Sequence, residues 1–378
     1  MNDNSRKRTI GNRGIRSAAL FIVCALVLGE RTAAADDSPH FFRIGTAATT
    51  GTYFQIGAEV ANAISKPPGS RDCARGGSCG VEGLVAVAQA TQGSIENAIA
   101  VGAGQLEAAF IQADVAFWAY TGTAPAGAGP GSKACRGSPA LPINGAALMA
   151  KGGAIRNLRA VAALYPEAVH IVSRDPKVKT VGDLKNKRVS LGEGGSGTLA
   201  EARLVLEANN LNECQMKVQY PRLAEAASLL QKDGLDAMFL IGGAPVPAIT
   251  DAASMIPVHL IPVAGKAREA LEHRYPFIAP YTIPGATYPG VDAETQTVAV
   301  PALFVVNAAV SDDLVFGITK ALWQDSTRRM LDNGHPAGKN IRIANALTGL
   351  AIPLHPGAAK YYQQAGIKLP EPAEAKAK

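Results

Sequence analysis

The segment Arg188-Val189-Ser190-Leu191-Gly192-Glu193-Gly194-Gly195-Ser196-Gly197-Thr198 decides how the rest of the chain reads. It opens with a short, mostly apolar run of the kind that makes a buried strand. Four glycines and one serine then fall within seven residues, Gly192 to Thr198. Thr198 to Ala208 follows with Leu199, Ala202 and Leu206 at helical spacing. The pattern is strand, glycine turn, helix start. Main-chain N–H groups at a helix start have no partner within the helix and carry partial positive charge. Such a turn is a ready site for phosphate or carboxylate.

Gly192-x-Gly194-x-x-Gly197 also matches the dinucleotide fingerprint. A nucleotide-dependent oxidoreductase using Gly192–Gly197 is therefore the enzymatic alternative. That fingerprint needs an acid about 20 residues further on, at the end of the next strand. The next strand is Met216 to Tyr220, followed by Pro221 and Arg222, and no acid stands there. A small carboxylate-bearing solute suits the turn better. A tight turn with no ligand is the plain alternative.

The chain begins with Arg6-Lys7-Arg8, Arg13 and Arg16, then an uncharged apolar run from Ala18 to Leu28, then Ala33-Ala34-Ala35. This reads as a cleaved secretory signal peptide over 1–35, too short in its apolar part to span a bilayer comfortably. The removed piece carries six basic and two acidic residues of the 37 and 31 in the chain. What remains has 31 and 29, a net charge of +2 instead of +6. Nucleic-acid binding loses its main support. The expected product is a periplasmic protein with no stable membrane insertion, large enough for two α/β lobes. Of the remaining cysteines, Cys73 and Cys79 flank a flexible Ala-Arg-Gly-Gly-Ser and are the favoured disulfide; Cys135 and Cys214 are left over. The thiols lack paired spacing and a nearby histidine, so no metal is expected.

Further strand–turn–helix units precede the glycine turn. Phe41 to Thr46 reads as a strand, followed by the turn Ala47-Ala48-Thr49-Thr50-Gly51-Thr52 and a helix from Tyr53 to Ile64. There the Thr cluster serves as N-caps or touches a ligand. Leu84 to Ala90 is a strand, and Ser94 with Asn97 resembles a cap at the next helix start. Ala108 to Gln112 is a third strand. In a parallel sheet these turns share one edge, where α/β proteins bind ligands. Thr121 to Asn144 is an Ala/Gly/Pro-rich loop, and a short helix follows over Ala146 to Lys151. Leu158 to Tyr165 is a strand that Pro166-Glu167-Ala168 interrupts before Val169 to Arg174 resumes. Gln296 to Val306 is a second long strand with a proline. Both suit crossings between lobes. Asp312 starts a helix running to about Asn333.

Several collinear stretches together resemble one family. They are Thr49-Thr50-Gly51-Thr52-Tyr53, Thr91 to Asn97, Leu164 to His170, Gly194 to Thr198, Tyr281 to Gly290 and Ile352 to Ala358. They are similar to the TAXI group of TRAP-transporter solute receptors over nearly all of the mature chain. The resemblance implies an α/β, type II-like periplasmic-binding-protein fold with two hinge crossings and a ligand cleft between two lobes. It implies lobe 1 over 36–166, lobe 2 over 167–263, a return to lobe 1 over 264–366, and a disordered tail over 367–378. It implies binding of a small carboxylate or amino-acid ligand (glutamate, glutamine or a 2-oxo dicarboxylate) and its delivery to TRAP membrane permease subunits, with no cofactor. The family's cleft positions fall on Thr49, Thr50, Gly51, Tyr53, Gly93, Ser94, Asn97, Gln112, Tyr165, Ser196, Gly197, Thr198, Phe239, Thr287 and Tyr288. The chain departs from the family at Ala47, Ala48 and Thr50, where glycine is usual, at Ala113, where serine is common, and at Glu193, where a small residue or proline is frequent.

No arginine lies in these turns, so negative charge would be held by N–H groups, hydroxyls and amides at helix starts. Glu167 either meets an ammonium group or faces solvent. His170 reads as a strand residue. Tyr165, Phe239 and Tyr288 pack on a solute's apolar part or in the core. No catalytic residue is expected. Ser196 lacks the Gly-x-Ser-x-Gly elbow, and paired carboxylates do not recur across the turns. A sensor or adhesin with the same fold is the non-transport alternative.

Overall fold

The computed structural model describes residues 38–123 and 153–370. The expected signal peptide, Cys135 and its pairing with Cys214, most of the 121–144 loop, the helix over 146–151 and the chain beyond 370 lie outside the described residues. From Ser38 the chain forms one compact unit.

The first part holds β1 (His40–Gly45), α1 (Thr52–Ile64), β2 (Ser65–Lys66), β3 (Val81–Glu82), β4 (Leu84–Gln89), α2 (Ser94–Gly102), β5 (Ala108–Gln112) and α3 (Ala113–Thr121). The long strand β6 (Leu158–Ser173) leads to β7 (Arg188–Ser190), α4 (Gly197–Ala208), β8 (Lys217–Gln219), α5 (Leu223–Gln231), β9 (Ala237–Gly242), α6 (Pro247–Met255) and β10 (His259–Leu260). Then come α7 (Gly265–Arg274), β11 (Ala279–Ile283), a second long strand β12 (Thr295–Asn307), α8 (Asp312–Leu322), α9 (Asp325–Asn333) and α10 (Pro356–Gln364).

Ten strands form one mixed sheet in the order β4-β1-β5-β12-β6-β9-β7-β8, with β10 added on β6 and β11 on β12. Strands β1, β4 and β5 are mutually parallel, as are β7, β8 and β9. Antiparallel pairing of β5 with β12, β12 with β6, and β6 with β9 makes the two sets run in opposite directions. The turns after β1, β4 and β5 thus share one edge, as expected from the sequence, and a second edge, after β7, β8 and β9, faces it. Gln112, ending β5, lies opposite Ala302, and Gly242, ending β9, lies opposite Ala168. Both sets thus aim their C-terminal ends at the midpoint of the two long strands, and Glu167 pairs with Val300 there.

Two sequence expectations change. β6 passes through Pro166 unbroken, because Pro166 faces Pro301 across the ladder beside a register shift. The missing N–H donors are thereby gathered at one irregular rung. The helix expected from Asp312 to Asn333 is two helices, parted at Trp323-Gln324. Gln324 is drawn aside, donating from Nε2 to the Cys79 carbonyl, while the Thr327 hydroxyl caps back to the Ala321 carbonyl. The proline-rich stretch after Tyr275 contains a regular strand, β11, paired antiparallel with β12.

Apolar faces explain the packing. Ile56, Val60 and Ile64 of α1 are fully buried with Phe42, Phe110 and Phe304, and Tyr53 stacks edge-on against Phe110 at 5.6 Å. On the other side Leu199, Ala202 and Leu206 of α4 are buried as their spacing predicts, in a cluster that also takes Trp118, Tyr275 and Phe277. Burial of an aromatic or Leu side chain of this kind contributes about 1.5–3 kcal/mol. Cys73 and Cys79 form the disulfide expected from the sequence, with Cα atoms 4.6 Å apart.

Candidate functional site

The turns from the two opposed edges enclose one recess. It leaves about 80 Å³ for the centres of water-sized groups, within about 680 Å³ of empty space that runs out to solvent. From one side it is lined by Ala47, Ala48, Gly51 to Tyr53, Gln92 to Ser94 and Gln112. From the other it is lined by Ser190, Gly192, Glu193, Ser196 to Thr198, Pro221, Leu223, Ala226, Phe239 to Gly242 and Val246, and Glu167 closes the middle.

The two edges touch directly. The N–H groups of Ile95 and Glu96, at the start of α2, both donate to the Gly195 carbonyl at 3.2 Å. The Thr52 hydroxyl donates to the Gly243 carbonyl at 2.8 Å, and the Ala248 N–H to the Thr50 carbonyl at 3.3 Å. Glycine is required at close approach: a Cβ on Gly197 would lie 1.3 Å from Gln112 Oε1. Gly93 has φ 114°, a left-handed conformation open to glycine.

The opposed helix starts differ. At α4, Ser196 is the N-cap: its Oγ accepts the Leu199 N–H at 3.3 Å and donates to the Glu193 carbonyl at 2.7 Å. Thr198 Oγ1 accepts the Ile241 N–H at 3.3 Å. The N–H groups of Gly197 and Thr198 meet no acceptor among the described residues. At α2 the sequence-expected cap is displaced. Gly93 holds the N-cap position without a side-chain bond, and Ser94 Oγ instead accepts the Gln112 N–H. Asn97 spends Nδ2 on the Thr46 and Phe110 carbonyls and accepts from Thr91, bracing strand ends behind the recess. The Thr cluster before α1 supplies no N-cap either; Gly51 stands there.

Gly51, Tyr53, Gly93, Ser94, Gln112, Ser196, Gly197, Thr198 and Phe239 therefore line the recess, and the other sequence-derived positions do not. Thr49 is exposed. Thr50 holds the opposite edge through its carbonyl. Tyr165 is buried, with its ring edge against Gly243 and its hydroxyl unbonded. The Thr287 hydroxyl turns back to the Pro284 carbonyl. Tyr288 acts at one remove. Its hydroxyl accepts the Val246 N–H at 3.0 Å and donates to His170 Nε2 at 2.9 Å, and His170 Nδ1–H donates to the Ala168 carbonyl. Burial lowers the His170 pKa to about 4, so the ring is neutral and this relay simply fixes the loop at Val246.

Acids dominate the electrostatics. Glu167 is 2% exposed, and its Oε2 accepts the Tyr53 hydroxyl at 2.6 Å. Burial holds its carboxyl well above the usual range, against that hydrogen bond. Glu193 is pushed up to about 7 by burial, with Arg222 at 3.6 Å opposing the shift. Behind the recess Asp114 of α3 and Glu201 of α4 are buried against each other, and burial raises both. The sequence reading missed this pair, which corrects the expectation that carboxylates do not pair across the turns. The two stand 87 positions apart, and each looks ordinary alone; Glu201 two residues from the inward Leu199 was the faint signal. Among the described residues no lysine, arginine or histidine lines the recess. Among the described residues no cluster of His, Cys, Asp and Glu could hold a metal ion, and no helix is long and apolar enough to cross a membrane.

A family model matches residues 44–136 and 134–366, and the chain belongs to the NMT1-like family. Among solved structures, the chain is similar to the periplasmic aliphatic sulphonate binding protein SsuA of Escherichia coli. The identity there is 12% over 86% of this chain and 79% of that one, with a TM-score of 0.40. It is also similar to the alkanesulfonate-binding protein SsuA of Xanthomonas axonopodis pv. citri bound to MOPS, at 14% identity over 88% and 96%, with a TM-score of 0.41. A third is an ancestral arginine-binding protein bound to arginine, at 12% identity over 86% and 97%, with a TM-score of 0.40.

Proposed function

We propose that this protein is an extracytoplasmic solute receptor serving a TRAP-type secondary transporter, and that it takes a small amino acid between two lobes. The motif resemblance to the TAXI group supports the transport reading. The observation that carries the ligand class is the pairing of uncommitted Gly197 and Thr198 N–H groups with Glu167 in one recess. The helix start would receive a carboxylate, and Glu167 an ammonium group. A 2-oxo dicarboxylate would bring no ammonium group to Glu167 and would place its second negative charge where the described lining holds no cation, Arg222 being paired with Glu193. Glutamine or glutamate is the better fit. In this reading the lobes divide at the midpoints of β6 and β12, and the solute is gripped as they close.

The test is a thermal-shift and calorimetric screen of the mature protein against glutamine, glutamate and 2-oxoglutarate. A rise in Tm with an amino acid but not with the 2-oxo acid is expected, since binding to the folded state alone stabilises by mass action. Preference for the 2-oxo acid would reverse the ligand assignment. Uptake that survives deletion of the gene would remove the transport role.

A further inference from the structure

Asp114 and Glu201 sit at the second position of α3 and the fifth of α4, two helices that start from opposite edges of the recess. Both are buried, at 0% and 2% exposure. Their carboxyl groups are near enough for each to act on the other's charge. Asp114 Oδ1 takes the Val115 N–H, but Asp114 Oδ2 and Glu201 Oε1 meet no donor. The Gln112 Oε1 beside Gly197 is likewise buried and unbonded. Carboxylate oxygens only accept when ionised, and like charges this close and this dry repel strongly. A proton held between the two oxygens resolves both problems.

We propose that Asp114 and Glu201 form a proton site joining the two edges of the recess, with one proton shared between them. One O–H bond is made when the pair takes up the proton and broken when the proton leaves to solvent, and no other group is transferred. The surroundings supply no substitute for the proton. Among the described residues the other charge acting on the pair is Glu167 of β6, itself bonded to Tyr53 of α1. Strands β5, β9 and β12 carry no charged side chain. On the neighbouring helices Glu96 takes the Gln92 N–H, Arg203 pairs with Glu213, Glu207 with Arg274 and Arg268 with Glu272, while Lys266, Glu269 and His273 are exposed. Burial pushes Asp114 up to about 7 and holds Glu201 well above its usual value. Because the folded-state values are raised, the stabilisation is complete below the unfolded carboxyl values of about 4 and is lost as pH rises toward about 7 and beyond.

The experiment uses the solute-free protein, in wild type, Glu201→Gln and Asp114→Asn forms. Infrared spectra near pH 6 should show a protonated-carboxyl band that loses intensity in Glu201→Gln, because the amide donates to Asp114 in place of the proton. The fall in Tm between pH 4 and 7 should shrink by about half in that variant. Absence of the band in the wild type, or identical bands and identical pH profiles in wild type and Glu201→Gln, would overturn the proposal. Glu167 and Glu193 are also raised and contribute to the wild-type band, so the assignment rests on the difference spectrum, and Asp114→Asn supplies it if Glu201→Gln fails to fold. No solute enters these measurements, so their outcome is separate from whether the recess binds an amino acid.

Discussion

The helix starts of α2 and α4 face each other across the recess, and both follow a glycine turn. They do opposite things with their N–H groups. At α2 two of them are spent on the Gly195 carbonyl, so that start works as a latch between the edges. At α4 Ser196 satisfies only the third, and the first two point to the recess uncommitted. The lesson is that a glycine turn before a helix offers donors, but the partner edge decides whether a ligand can have them.

The largest effect should come from Gly197→Ala. Its new methyl group would overlap Gln112 Oε1, whose side chain is buried. A loss of about 2–3 kcal/mol in stability by denaturant unfolding is expected, and Gln112→Ala in the same chain should restore much of it. If Gly197→Ala is neutral, the two edges are not in contact here. Next is Tyr53→Phe, which removes the bond to Glu167. It should cost about 1–3 kcal/mol because a buried acceptor is left unmet. Ser196→Ala removes the cap of α4 and should cost about 1 kcal/mol in stability. Any additional loss in solute affinity, read by calorimetry, would mean that the hydroxyl also serves the ligand. Smallest is Gly195→Ala. The new methyl meets the exposed Gln92, whose amide can swing away but whose Cβ, 2.8 Å off, must shift, so the change should cost about 0.5–1 kcal/mol. Equal costs at Gly195 and Gly197 would erase the distinction between the two starts.

Much of the fold was legible because local pattern and final packing agree. The run Ala108 to Gln112 is wholly buried, and the inward stripe of α1 is the one its spacing marks. The site was legible as far as the turns themselves. What the sequence does not carry is which turn meets which. Pro166 looks like a break until Pro301 is seen opposite it. Asn97 looks like a cap until its amide is found holding the Thr46 and Phe110 carbonyls. Tyr288 looks like a lining residue until Val246 and His170 are found on its hydroxyl. In each case a tertiary partner, distant in sequence, claimed a group that local rules had assigned elsewhere.

The rung at Pro166 and Pro301 has a mechanical consequence. Both long strands are continuous through it, yet it lacks N–H groups on both sides, since both facing residues are prolines. Bending strain will concentrate along that single line, and the two strands will flex together like a pair of leaf springs. Spin labels set on β5 and β9 should then report one coherent opening angle that relaxes elastically, instead of the broad distribution that loose tethers would allow.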